Sequence, residues 1–176
     1  MGRRVRYLVA CSLDGFIAGP NGEADWIVMD SGMDFQGIMD QFDTFLIGRR
    51  TFEAMGPAAQ RGSKSNSTYV FSRTLSPEDY PGVSIISEDA RGFVDNLRAE
   101  PGKDIWLFGG GDLFRSLSSL GVVDTVEVGV MPVLLGEGIP LFPPPGPRTT
   151  LTLTKHRVHP ETGIVGLEYS IVRPAS

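Results

Sequence analysis

The fold is decided by the stretch Ile105-Trp106-Leu107-Phe108-Gly109-Gly110-Gly111-Asp112-Leu113-Phe114. The apolar run Ile105 to Phe108 predicts a buried strand, and the apolar spacing from Asp112 to Leu120 predicts a helix. Glycines at such a junction let a ligand approach the backbone, and the helix N-terminus offers free N–H groups to a phosphate. We interpret the three glycines as a phosphate-binding turn, with a plain tight turn as the alternative. Their spacing is not the Rossmann fingerprint.

Two further apolar segments end in polar turns. Thr44 to Ile47 precedes Gly48-Arg49-Arg50-Thr51, and Thr68 to Phe71 precedes Ser72-Arg73. Apolar strands that each end in a polar turn before a helix are typical of a parallel sheet, whose ligands bind at the carboxyl ends of the strands. The three turns are therefore expected to line one groove, long enough for a dinucleotide. Arginines in place of a ribose-binding carboxylate favour NADP over NAD, although Arg49 and Arg50 also suit a solvated helix start.

The rest of the chain completes an α/β pattern. Val5 to Cys11 predicts the first strand, and Asp14 to Asp25 predicts a long loop without a regular element. Helical spacing predicts a helix carrying Met33, Phe35, Ile38, Met39 and Phe42, and another helix from Asp89 to Leu97. The last third predicts a strand from Val122 to Val130 and an antiparallel hairpin of Leu151 to Val158 with Ile164 to Val172. We expect a mixed, mostly parallel sheet flanked by helices and closed by this C-terminal hairpin.

Composition limits the function. The 176 residues carry a formal charge of -5, which disfavours nucleic acid and anionic membranes as partners. Residues 1–176 are expected to form a single domain, and no apolar stretch approaches a signal-peptide core or a membrane span, so a cytoplasmic location is expected. One cysteine and two histidines predict no metal site; His156 and His159 are expected to be solvated or at a strand edge.

Four motifs together resemble the dihydrofolate-reductase-like superfamily, in particular the reductase domain of bifunctional riboflavin-biosynthesis enzymes. They are Ser12-Leu13-Asp14-Gly15-Phe16-Ile17-Ala18, Gly48-Arg49-Arg50-Thr51-Phe52, Gly109-Gly110-Gly111 and Pro132-Val133-Leu134-Leu135-Gly136-Glu137-Gly138. The resemblance implies an NADPH cofactor, a lid formed by residues 14–25, and a homodimer that buries the apolar stretch Met131 to Leu135.

The resemblance also implies which residues contact the cofactor. These are Ala10 and Ile17 at the nicotinamide, Gly48, Arg49, Arg50 and Thr51 at phosphates, Phe71, Ser72 and Arg73 at the adenosine end, and Phe108, Gly109, Gly110, Gly111, Asp112, Leu113 and Phe114 around the pyrophosphate.

The catalytic carboxylate is left as a choice between two residues. Asp34 fits the family pattern of a carboxylate followed by apolar residues in the first helix, and Asp30 fits the distance from Trp26. Trp26, Phe35 and Phe114 are candidates for an aromatic wall along the substrate, with a core role as the alternative. The threonine that accompanies the carboxylate in dihydrofolate reductases is missing near Gly129, which argues against folate as the substrate.

The expected function is NADPH-dependent reduction of a small heterocycle, such as 5-amino-6-(5-phosphoribosylamino)uracil of riboflavin biosynthesis or a pteridine. Alternatives are an NADP(H)-binding protein without efficient turnover and a dimeric structural module.

Overall fold

A computed structural model describes residues 2–57 and 66–173 of the chain. Its main sheet has the strand order β5-β4-β3-β6-β1-β7-β10-β9, and β2 pairs with β8 in a small separate sheet. The strands are β1 Val5–Ser12, β2 Phe16–Ala18, β3 Phe42–Gly48, β4 Ser67–Phe71, β5 Ser84–Ile86, β6 Asp104–Gly109, β7 Thr125–Met131, β8 Ile139–Pro140, β9 Leu151–His159 and β10 Ile164–Ile171.

The pairing confirms the predicted architecture. The neighbours from β5 to β7 are parallel, whereas β10 pairs antiparallel with both β7 and β9. Because parallel strands end on the same side, the last residues of β1, β3, β4, β6 and β7 form one edge of the sheet, which we call the carboxyl edge.

Three of the four helices named next bury apolar side chains against the sheet, whereas the first buries none. The helices are α1 Phe35–Met39, α2 Arg49–Ala54, α3 Ala90–Ala99 and α4 Gly111–Ser119. Val94 and Leu97 of α3 and Leu113 and Leu117 of α4 lie in one buried cluster with the apolar side chains of the central strands. Burial of side chains of this size contributes about 1.5–3 kcal/mol each.

A buried ion pair joins β1 to β7 on the opposite face of the sheet. Arg6 donates two hydrogen bonds to Glu127, of 2.7 and 2.6 Å, and both side chains are less than 10% exposed. Thr125 donates to the same carboxylate, and Gln41 accepts from the Arg6 guanidinium at 2.7 Å. Arg6 also lies 3.3 Å from Asp104 at the start of β6. The network therefore connects three adjacent strands near their amino ends.

Two predicted boundaries were wrong. The helix expected from Met33 to Phe42 spans only Phe35–Met39, and Phe42 is the buried first residue of β3. Phe42 is apolar because it packs beside Trp106 of the neighbouring strand. In so short a run, its position fits the helical period of 3.6 residues as well as the strand period of two. The loop expected without a regular element contains β2, which exists because β8 pairs with it.

The apolar stretch 131–135 is exposed or half-buried except at its first residue. Met131 is buried at the end of β7, whereas Leu134 is 69% exposed. The expected homodimer remains a prediction. None of the helices in the described ranges is long and apolar enough to cross a bilayer.

We predict that Glu127→Gln destabilises the protein by about 3 kcal/mol, the lower end of the range for breaking a buried pair, because the buried Arg6 guanidinium loses its closer charged partner and keeps only Asp104 at 3.3 Å. Urea unfolding measures this change. Asp95→Asn is the matched control, since Asp95 forms an exposed pair with Arg91 at 3.6 Å, and such pairs contribute only about 0.3–0.5 kcal/mol. Equal losses in the two variants would contradict a stabilising role for the buried pair.

Candidate functional site

The three predicted turns are neighbours at the carboxyl edge. In the parallel register, Gly48 of β3 lies opposite Phe71 of β4, and Ile47 lies opposite Gly109 of β6. Adjacent strands are about 4.8 Å apart. The turns after β4, β3 and β6 therefore lie side by side, as expected for parallel strands.

The glycine turn leads directly into α4. Gly109 has a φ of +133°, a conformation that disfavours any side chain, and the Gly109–Gly110 peptide bond is cis. Gly110 is the N-cap of α4, and no side chain caps the helix. Within residues 2–57 and 66–173, no group accepts a hydrogen bond from the first N–H groups of this nine-residue helix, and such groups can bind an anion. Asp112 lies in this first turn, but its carboxylate is paired with Arg115 at 3.1 Å.

Three segments converge around Gly110. A Cβ atom placed on Gly110 would lie 3.2 Å from Thr51 Oγ1 of α2 and 3.9 Å from Ile17 Cδ1 of β2. A Cβ atom on Gly48 would lie 3.4 Å from the Gly109 carbonyl oxygen. The Gly110 position is therefore closely bordered by β2 and α2, and the Gly48 position by the glycine turn.

Gly111 has a different, structural constraint. A Cβ atom there would overlap the carbonyl oxygen of Pro140 in β8 and lie 3.1 Å from that of Leu141. The glycine turn is therefore packed directly against the β8 segment.

The arginines next to these turns differ in their contacts. The Arg49 guanidinium donates to Thr74 Oγ1 at 2.8 Å, which links α2 to the turn after β4. Ser72 is buried, and its hydroxyl accepts from the Thr74 and Leu75 N–H groups. Arg50 and Arg73 are exposed, and neither has a hydrogen-bonding or ionic side-chain partner within residues 2–57 and 66–173.

Asp30 is tied to the C-terminal hairpin. Its carboxylate accepts from Thr162 Oγ1 at 2.7 Å and from Gly32 N at 2.9 Å, and lies 3.2 Å from His159 Nδ1. These contacts, the Thr162 hydrogen bond foremost, hold the pKa of Asp30 below its usual value, although desolvation opposes them. Of the two placements expected for His159, the structure shows the strand edge, because the residue ends the edge strand β9. It is not solvated: it is 7% exposed, and its Nδ1 faces this carboxylate.

Asp34 precedes α1 rather than projecting from it. It is the N-cap, and its exposed carboxylate accepts from Gly37 N at 2.8 Å. Phe35 is 45% exposed and therefore accessible to a ligand. Trp26 is half-buried and donates from its indole to the Glu23 carbonyl at 3.1 Å. Asp34 and Phe35 remain candidate substrate contacts, and Asp30 has the larger set of structural partners.

The structure removes one aromatic candidate. Phe114 is 5% exposed, and its ring stacks on Tyr7 with a centroid distance of 3.9 Å, so it belongs to the core and cannot form a substrate wall. Leu113 is also buried in the core, so only its backbone is free to meet a ligand. Phe108 packs against Trp106 at 5.3 Å. Ala10 lies opposite Gly129 in the parallel register, half-buried on β1.

The contacts of Asp14 were not expected from the sequence. Its carboxylate accepts from the N–H groups of Leu135 and Gly136, although the two segments are more than a hundred residues apart. The only signal was that both segments belong to the motifs that resemble the reductase family.

The sheet order, the helices and the antiparallel hairpin define an α/β protein of the dihydrofolate-reductase-like class. The chain belongs to the RibD C-terminal domain family, whose model matches residues 3–165. It is also similar to the uncharacterized protein YyaP of Bacillus subtilis (strain 168), with 37% identity over 179 residues that cover 95% of this chain and 94% of the relative.

Two solved structures show the same fold. A putative riboflavin biosynthesis protein from Shewanella sp. PV-4 has a TM-score of 0.79 at 24% identity, covering 98% of this chain and 100% of the other. The dihydrofolate reductase from Enterococcus faecalis, solved in complex with NADP(H), has a TM-score of 0.68 at 19% identity, covering 96% of both chains.

We predict that the contacts of Asp30 make stability fall in acid. A carboxylate whose pKa is lowered by folding stabilises the native state above its unfolded pKa of about 3.9, and this contribution disappears as the pH falls through the folded pKa. The parent should therefore lose more stability between pH 6 and pH 3 than Asp30→Asn does, as measured by urea unfolding. Thr162→Val removes the largest cause of the lowered pKa, so it should also lose less stability than the parent between pH 6 and pH 3. Equal acid losses in all three proteins would contradict the predicted linkage.

Proposed function

We propose that the protein is an NADPH-dependent reductase of a small heterocyclic substrate. The observation that carries the proposal is the convergence of the three turns and β2 at the carboxyl edge, around a glycine turn that opens a helix without a side-chain cap. The family membership and the fold shared with reductases support the same class of function.

The carboxyl edge suits a dinucleotide in length and chemistry. From β4 through β3 and β6 to β1 there are three strand spacings, or about 14 Å, which exceeds a single phosphate group. In this proposal Gly109 to Leu113 hold the pyrophosphate through their backbone, and Arg50 and Arg73 are available to the 2′-phosphate and adenosine end. Bidentate arginine contacts suit phosphate oxygens. Ala10 and Ile17 are at the nicotinamide end.

The proposal places a phosphate against the bare backbone at Gly110. Gly110 has an extended φ of −86°, so backbone strain does not require glycine there, but a Cβ atom would lie only 3.2 Å from Thr51 Oγ1. Glycine therefore allows the close approach of α2, and the same bare backbone would let a phosphate reach the N–H groups at the start of α4.

NADPH, when bound, supplies the hydride for reduction. The protein residues would orient the ring and exclude water from it. Phe35 offers an exposed apolar surface, and Asp34 next to it offers a carboxylate that can orient a heterocycle or relay a proton to its nitrogen through water. The substrate in this proposal is a pyrimidine of riboflavin biosynthesis or a pteridine. The pyrimidine is suggested by a Thermotoga maritima diaminohydroxyphosphoribosylaminopyrimidine deaminase/5-amino-6-(5-phosphoribosylamino)uracil reductase of the same fold, with a TM-score of 0.71 at 16% identity, covering 97% of this chain and 57% of that chain.

An NADP(H)-binding protein without efficient turnover is the second candidate. It is favoured by one observation: both candidate carboxylates already accept hydrogen bonds from the protein, Asp30 from Thr162 and Gly32, and Asp34 from Gly37. NADPH oxidation measured across pteridines, pyrimidines and quinones separates the two candidates.

We predict that the protein binds NADPH more tightly than NADH and that Gly110→Ala weakens NADPH binding at least tenfold. The new methyl group would displace the phosphate from the glycine turn, while Thr51 can shift by a few tenths of an ångström and preserve the fold. Nucleotide fluorescence and thermal unfolding measure both effects; NADPH at 100 times its Kd should stabilise the parent by about 2.7 kcal/mol.

Gly166→Ala is the matched control, because its Cβ atom would meet only Arg157, at 3.7 Å or more. This variant should bind NADPH like the parent. Equal stabilisation of the parent by NADH and NADPH would contradict the predicted selectivity. If Gly110→Ala binds NADPH as tightly as the parent does, the three glycines form a plain tight turn and not a phosphate-binding one.

Turnover is expected to depend on the charge of Asp34. Asparagine caps helices as well as aspartate does, so Asp34→Asn should keep α1 intact and remove only the carboxylate charge. We expect NADPH affinity to be unchanged and kcat to fall about 100-fold. Asp30→Asn should alter stability more than kcat. Steady-state kinetics on any substrate from the panel measures both, and an Asp34→Asn enzyme as fast as the parent would remove Asp34 from the mechanism.

A further inference from the structure

The carboxylate of Asp14 connects two distant loops at the carboxyl edge. It accepts from Gly136 N at 2.7 Å, from Leu135 N at 3.1 Å and from Ser12 Oγ at 2.6 Å. Ser12 is buried, and its hydroxyl in turn accepts from Phe16 N at 2.9 Å. We call this set of contacts the Asp14 bridge.

The bridge sets where β2 begins. Phe16, whose N–H is held by Ser12, is the first residue of β2, and Ile17 follows it. A second bond, from Leu13 N to the Val133 carbonyl at 2.9 Å, runs parallel to the bridge. Residues 12–16 and 133–136 are therefore held together at several points, with a carboxylate at the centre.

Both bridged segments continue to the glycine turn. On one side, Ile17 Cδ1 lies 3.9 Å from the position of a Cβ atom on Gly110. On the other side, the chain after Gly136 forms β8, and the carbonyls of Pro140 and Leu141 pack on Gly111. Leu141 N also donates to the Gly15 carbonyl at 2.9 Å. The walls on either side of the glycine turn thus depend on the same junction.

An ionised carboxylate suits this junction because all three of its partners donate hydrogen bonds. The Ser12 hydroxyl and then the Gly136 N–H hold the pKa of Asp14 at about 2, although the side chain is exposed. The carboxylate is charged throughout the neutral range, and its bonds to the backbone are charge-assisted.

We propose that Asp14 is a positioning residue that holds β2 and residues 133–141 in place beside the glycine turn before the cofactor arrives. Without it, two loops must be ordered when the nicotinamide end binds, and that entropic cost lowers affinity. The role rests on the proposed NADPH site, and it assigns Asp14 no contact with cofactor or substrate.

The test compares Asp14→Ala and Asp14→Asn with the parent in two measurements. The first is the Kd for NADPH by nucleotide fluorescence; the second is backbone hydrogen exchange in the ligand-free protein. We expect Asp14→Ala to weaken NADPH binding tenfold or more and Asp14→Asn, which keeps one acceptor oxygen, to have an intermediate effect. Exchange should accelerate in residues 13–18 and 133–141 and remain unchanged in α3.

Asp89→Asn is the control, since Asp89 is another exposed carboxylate that accepts a backbone N–H, from Gly92 at 3.0 Å, as the N-cap of α3. It should bind NADPH like the parent. If Asp14→Ala does not fold, Asp14→Asn decides the matter, because it preserves the side-chain shape.

The outcomes separate this role from the proposed function. Failure of the parent to bind NADPH would overturn both. Binding by the parent together with equally tight binding by the Asp14 variants would overturn the positioning role alone. Unchanged exchange in the two bridged segments would do the same, because the loops would then be ordered without the carboxylate.

Discussion

The parallel pairing of β3 with both β4 and β6 is the constraint on which the candidate site depends. It sets Gly48 opposite Phe71 and Ile47 opposite Gly109, and a Cβ atom on Gly48 would make ordinary van der Waals contacts with the Gly109 carbonyl at 3.4 Å and Leu113 Cβ at 3.5 Å. Once β3 and β6 pair in parallel, the first turn of α4, the arginines of α2 and the turn after β4 come to one edge.

The two ends of the sheet have different chemistry. Near the amino ends, charged groups are paired with one another: the buried Arg6 with Glu127 and Asp104, and the exposed Arg4 with Asp104. At the carboxyl edge, Arg50, Arg73 and the first N–H groups of α4 have no hydrogen-bonding partner within the ranges that the structure describes. This is the division expected of a parallel sheet, whose strand ends on one side carry ligands while the other side supports the fold.

Much of this arrangement was predictable from local sequence. The strand, glycine and helix pattern of residues 105–120 has an unambiguous period, and adjacency of the polar turns follows from parallel pairing. The short strands β2 and β8 were not predictable, because three and two residues have no measurable period and exist only as a pair. Asp30 and Thr162 are 132 residues apart, so the contact between them cannot be predicted from the local sequence pattern. The same holds for the burial of His159.

The position of β1 in the sheet has a consequence for how the chain is made. The strand β1 is central in the sheet, and its neighbours β6 and β7 are synthesised much later. Glu127, the partner of Arg6, follows it by 121 residues. During synthesis from the N-terminus, β1 therefore leaves the ribosome with its apolar face and its arginine both unmatched. Long-range pairing of this kind slows folding and prolongs the exposure of apolar surface. The sheet therefore cannot be completed around β1 until β7 has been synthesised. A chain released earlier lacks the strand that pairs with β1 on this side.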